Sequence, residues 1–174
     1  MERIRRGFRF LGSRHRYTAR VNRDMNRDHF YITLFSNASQ HLYPDNKIAA
    51  FTIQLPQPVI LDPSEIWEVG LCELSFSERQ LLEDNTDALV YCDLIAPQLI
   101  GTTVVRFLRT FNIIVPEDYG VEYQFKNVYY VPLEKRMFRD IRIEILNLAG
   151  ERVPFNNSQT PLKVVLHFRR VVKH

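Results

Sequence analysis

Between Arg139 and Leu146 the chain carries Ile141, Ile143 and Ile145 at every second position, with Arg142 and Glu144 between them. Successive side chains of a β-strand point to opposite faces, so this spacing puts the isoleucines on a core and the charges in water. An α-helix would scatter the same isoleucines around its circumference.

The pattern recurs along the chain in short segments divided by turn residues. Segment 29–34 ends at Ser36-Asn37-Ala38-Ser39, and 48–55 alternates through Phe51, Ile53 and Leu55 before Pro56 and Pro58. Trp67, Val69, Leu71 and Leu74 follow the Asp62-Pro63-Ser64 turn, with Trp67 expected to pack in the core or at a sheet edge. Further strands are predicted over 88–95, 104–108, 111–115, 125–131 and 162–168, with Leu148-Ala149-Gly150-Glu151 as a turn. The one stretch that reads as a short turn or helix is 132–138. The whole predicts an all-β sandwich or jelly roll rather than a Rossmann fold. There is no internal repeat, Gly-rich phosphate loop or heptad seam. Gly70 reads as a place of close backbone approach and Gly101 as a turn.

Charge divides the chain once. The first 28 residues hold nine arginines and three acids, whereas the remaining 146 hold 14 Lys/Arg against 17 Asp/Glu. Residues 1–27 are therefore expected to form a basic, disordered N-terminal arm, and 28–174 one domain long enough to enclose its own core. Arg3, Arg5, Arg6, Arg9, Arg14, Arg16, Arg20, Arg23 and Arg27 suit a polyphosphate or an acidic protein surface; a solubilising tail is the plainer alternative. Phe8, Phe10 and Leu11, between Gly7 and Gly12, add an apolar anchor suited to a neighbour's groove.

Cys72 and Cys92 lie in apolar runs and read as free, core-packed thiols; a bridge between them is the alternative, with no framework spacing to support it. No apolar run approaches the length of a membrane span or a secretory signal. A reducing compartment is expected, which makes the Asn37 and Asn156 sequons accidental, and the basic arm is compatible with assembly in a host nucleus.

No catalytic constellation stands out, and the chain is expected to be neither an enzyme nor a cofactor or metal binder. His15, His29, His41, His167 and His174 have no zinc spacing with the two cysteines. Glu73 with Glu78, Asp84 with Asp87, and Ser36 with His41 lack a signalled partner acid or oxyanion hole. Two binding alternatives remain. Tyr119, Tyr123, Phe125, Tyr129 and Tyr130 offer stacking surfaces for a nucleic-acid-binding β-sandwich adaptor, although their strand spacing favours packing within or between subunits. A carbohydrate- or receptor-binding jelly roll is the other.

A longer set of segments, in order, carries a family resemblance: His29 to Ser39, Tyr43-Pro44-Asp45-Asn46, Phe51 to Leu55, Trp67 to Leu74 and Val90 to Gly101. Leu108-Arg109, Tyr130 to Leu133, Gly150 to Phe155 and Val165 to Arg169 continue it. Over about residues 28–170 the chain resembles the minor capsid, or penton, protein of Maverick/Polinton-type elements and related animal adintoviruses. The resemblance implies a single eight-stranded antiparallel jelly roll that forms homopentamers at the fivefold vertices of an icosahedral virion capsid, beside a major capsid protein of double-jelly-roll type. Asp93, Arg106 and Arg109 are then candidates for intersubunit polar contacts. The arm lies outside the resemblance, and its expected partners (shell interior, neighbouring subunits or packaged double-stranded DNA) follow from charge alone.

Overall fold

The computed structural model describes residues 28–77, 86–113, 121–155 and 160–172. Over these the alternation becomes eleven strands: β1 (His29–Phe35), β2 (Ala50–Ile60), β3 (Trp67–Phe76), β4 (Thr86–Cys92), β5 (Gln98–Ile100), β6 (Thr103–Val105), β7 (Phe107–Ile113), β8 (Val121–Gln124), β9 (Tyr130–Pro132), β10 (Met137–Asn147) and β11 (Lys163–Arg170). None of the described residues is helical, and no described helix is long and apolar enough to cross a membrane. Segment 133–136 is a turn between the sheets, held by Glu134 N–H donating to Leu94 C=O and Leu61 N–H donating to Arg136 C=O.

Two sheets carry the fold. The first runs β1-β11-β3, with β8 and β9 both on the far side of β3; the second runs β2-β10-β4-β7, and β5-β6 is a separate hairpin. The chain changes sheet at nearly every connection, so it wraps around its core, and every strand pair is antiparallel. This is the predicted antiparallel jelly roll. Between the sheets lie the inward residues of the alternating strands, including Ile141, Ile143 and Ile145 of β10 and Val164, Leu166 and Phe168 of β11, all fully buried.

Among the described residues the two sheets hold nine strands, and the strand predicted over 125–131 is kept only at its end, in β9, while β8 lies before it. β8 pairs with Glu73–Phe76 and β9 with Glu68–Gly70 along the same edge of β3. Between them the chain rises over Gly70: a Cβ built there would overlap the Val128 side chain and lie 2.8 Å from the Tyr129 carbonyl oxygen. Only a residue without a side chain admits that approach. Gly70→Ala is accordingly expected to cost about 1–3 kcal/mol, read as a lowered melting temperature. An unchanged one would mean that 125–129 moves aside freely.

Other boundaries differ for local reasons. β2 continues through Pro56 and Pro58, which fall where its register with β10 shifts between Gln54 and Val59, an irregularity on an edge strand that needs no N–H from either proline. That edge is also capped: Asn46 donates from Nδ2 to Thr52 C=O and accepts Thr52 N–H at Oδ1, both at 2.9 Å, and Ser39 Oγ accepts Gln54 N–H at 3.0 Å. The predicted strand over 88–95 stops at Cys92, and 104–108 divides between β6 and β7. Gly101, at φ 60°, turns the β5-β6 hairpin, and Gly150, at φ 80°, turns the chain after β10.

Candidate interaction surface

The outer face of the first sheet carries a cluster of polar and aromatic side chains. The ladders align Tyr31 with His167, His167 with Gly70, and Gly70 with Tyr130 in one row across four strands. Because Gly70 presents no side chain, the Tyr130 ring lies over it and reaches His167, with Oη 2.6 Å from Nδ1. From the other side Tyr31 stacks on the imidazole, with centroids 4.3 Å apart and planes at 13°. In the next row Arg169 donates to Glu68 Oε2 from Nε at 3.0 Å and Nη2 at 2.9 Å. Its guanidinium carbon sits 3.5 Å from the Tyr130 centroid. Such a partly exposed ion pair contributes about 0.2–1 kcal/mol. The cation–π contact adds a similar amount, about 0.5–1 kcal/mol.

Partial burial, aided by His29 and Arg169, lowers the pKa of His167 below the usual imidazole value. A basic group whose folded pKa is depressed must take up its proton at a cost, so its contribution to stability is present above the unfolded pKa, about 6.5. It is lost as pH falls through the folded value. Melting temperature is therefore expected to fall on acidification from pH 7 to 5, with a shallower fall in His167→Gln; equal slopes in both proteins would exclude His167 as the source.

The three residues singled out as intersubunit contacts all have partners in their own chain. Asp93 accepts Arg142 N–H at 2.8 Å and pairs with Lys135 Nζ at 2.5 Å. Arg106 pairs with Glu134 at 2.5 Å. Arg109 donates to Asn127 C=O at 2.8 Å and covers the Phe125 ring at 3.9 Å, closing the sandwich where β8 and β9 part. The sequence signal missed the hairpin beside them. Leu99 and Val104 face each other across β5-β6 and remain 71% and 66% exposed. The arm residues Arg3, Arg5, Arg6, Phe8, Arg9, Phe10, Leu11, Arg14, Arg16, Arg20, Arg23 and Arg27 lie outside the described residues, as do Tyr119, Glu78 and Asp84.

Three of the residues considered for catalysis have partners within the chain. Ser36 is buried and its Oγ accepts Leu162 N–H at 3.0 Å, Glu73 pairs with Lys163, and Asp87 accepts from Asn112 Nδ2 at 2.9 Å. Among the described residues no three His, Cys, Asp or Glu side chains converge on a metal position. Cys72 and Cys92 are free. Burial pushes the Cys92 thiol up to about 12, which leaves it a protonated, inert core residue at neutral pH. Of the candidate stacking aromatics, Tyr123 and Phe125 pack against the core, whereas Tyr129 is 58% exposed.

Sequence reasoning did not assemble Tyr31, Glu68, Tyr130, His167 and Arg169, since they come from four strands. The available signal was the parity of β1 and β11, whose odd-numbered residues all face outward.

No protein-family model and no curated protein matches the chain. Among solved structures it is similar to the mavirus penton protein, known from crystals of its selenomethionine form. The superposition has a TM-score of 0.59 at 8% identity and covers 83% of this chain and 100% of that one. The two chains share a fold.

Proposed function

We propose that this chain is a structural subunit of a virus capsid: a minor capsid, or penton, protein of the Maverick/Polinton and adintovirus type, forming homopentamers at the fivefold vertices of an icosahedral particle. The observation that carries the reading is the shared fold, which extends over the whole of the mavirus penton chain. The sequence resemblance over about residues 28–170 points the same way. A closed ring uses two different complementary surfaces on each copy and leaves no polymerising end. The exposed Leu99–Val104 pair and the outer-face aromatics supply apolar area for such contacts. Asp93, Arg106 and Arg109 lie close enough to the hairpin in sequence to border it. In this reading the shell's bulk is a double-jelly-roll major capsid protein, and the basic arm holds the penton to the shell interior, to neighbouring subunits or to packaged DNA after assembly in the nucleus.

The test combines native mass measurement with particle reconstruction. A fivefold mass in solution and density for this chain at the vertices are expected. A monomer that is absent from the vertices of assembled particles would defeat the reading.

A further inference from the structure

β1 is an outermost strand of the first sheet, paired with β11 on one side and with no strand among the described residues on the other. Two hydrogen bonds fix which backbone groups face the open side. Arg170 N–H donates to Asp28 C=O and Ser36 N–H donates to Leu162 C=O, so even-numbered residues turn their peptide groups toward β11. Antiparallel bonding alternates from residue to residue. His29, Tyr31, Thr33 and Phe35 therefore direct N–H and C=O outward.

Among the described residues this edge has none of the usual protection. Residues 29–35 contain no Lys, Arg, Asp, Glu or Pro, no bulge interrupts the β1-β11 register, and Tyr31 and Phe35 are 59% and 42% exposed. The edge of β2, in contrast, is blunted by Asn46, Ser39, Pro56 and Pro58. An open, uncharged edge beside a capped one is a strand-addition site.

We infer that this edge receives, as an added strand, the Phe8–Leu11 segment of a neighbouring copy's arm; the inference rests on the pentameric reading above. Phe8-Arg9-Phe10-Leu11 is bounded by Gly7 and Gly12, and strand alternation puts both phenylalanines on one face. Added to β1, that face continues the outer row of Tyr31, Thr33 and Phe35, with one phenylalanine directly opposite an aromatic and the other diagonal to one. Residues 13–27 span up to about 50 Å when extended, enough to reach an adjacent subunit. At Asp28 the chain still follows the β11 ladder, held by the 2.6 Å Arg170–Asp28 ion pair. Arm and edge then add one more pair of unlike, complementary surfaces to those through which the body closes the ring.

Hydrogen exchange on the full chain tests this. In pentamers the amides of Tyr31, Thr33 and Phe35 are expected to exchange at least about tenfold more slowly than in protein lacking residues 1–27, while the truncated protein remains pentameric through its body. Thr33→Pro removes an outward N–H that the β1-β11 ladder does not use. It is expected to restore fast exchange at Tyr31 and Phe35 while Phe30, Ile32 and Leu34 stay protected. Protection that survives arm deletion, or that persists in dissociated monomers, would overturn the inference, as would pentamers whose edge amides exchange as fast as in the truncated protein. None of these outcomes touches the pentamer itself; a chain that is monomeric at every concentration and absent from vertices would remove the underlying reading instead.

Discussion

Phe168→Ala is expected to destabilise the protein by about 3–5 kcal/mol, a large share of the roughly 5–15 kcal/mol that holds a typical domain. Phe168 is fully buried in β11 and stacks on Phe30 of β1 with centroids 4.7 Å apart and planes at 2°. On its other side it meets Phe138 of β10, 5.7 Å away, and Phe30 in turn touches Trp67 at 5.8 Å. Phe138 belongs to the second sheet, so this aromatic stack joins the two layers. Its truncation would leave a cavity between sheets that backbone ladders hold apart, and collapse around the gap can be only partial. Urea denaturation monitored by Trp67 fluorescence reads the loss directly. A change below about 1 kcal/mol would mean that the neighbouring rings refill the space, and that this stack is not the keystone between the layers.

Deleting residues 1–27 should produce the largest effect on binding if the arm's partner is DNA. Each phosphate neutralised releases counterions, at about −0.9 per contact in the slope of log affinity against log salt. Nine arginines thus permit a slope as steep as about −8, and a loss of about 10³–10⁵ in affinity between 50 and 200 mM salt. The body that remains carries more acids than bases and should bind duplex DNA weakly, with little salt dependence. Fluorescence anisotropy across a salt series compares the two proteins. Equal affinities and slopes would reject the DNA role and leave shell anchoring or a passive tail.

Local chemistry wrote much of the architecture into the chain. The alternation of Ile141, Ile143 and Ile145 names the buried face of β10, and the same parity names Val164, Leu166 and Phe168 of β11. Each strand's inward set follows from its own residues because the side-chain period is two. Turn chemistry was equally local: Ser64 N–H donates to Asp62 Oδ1 at 2.9 Å in the Asp62-Pro63-Ser64 turn, and Gly101 and Gly150 sit at the positive φ that glycine favours. The charge step at Arg27–Asp28 also belongs to sequence alone, because net charge needs no neighbour.

What depended on partners distant in the chain could not be read that way. The break between β8 and β9 arises because Gly70, some 58 residues earlier, leaves room for Val128 and Tyr129. Arg109 closes an opening that exists only once that break has formed. The cluster of Tyr31, Tyr130, His167 and Arg169 depends on the ladder registers of four strands, and a shift of one residue in any of them would turn its side chains to the other face. Periodicity assigns each residue to a face of its own strand. Which residues then share that face, which edge is capped and which is left open are set by strand order and register, through hydrogen bonds between segments as far apart as Asp28 and Arg170.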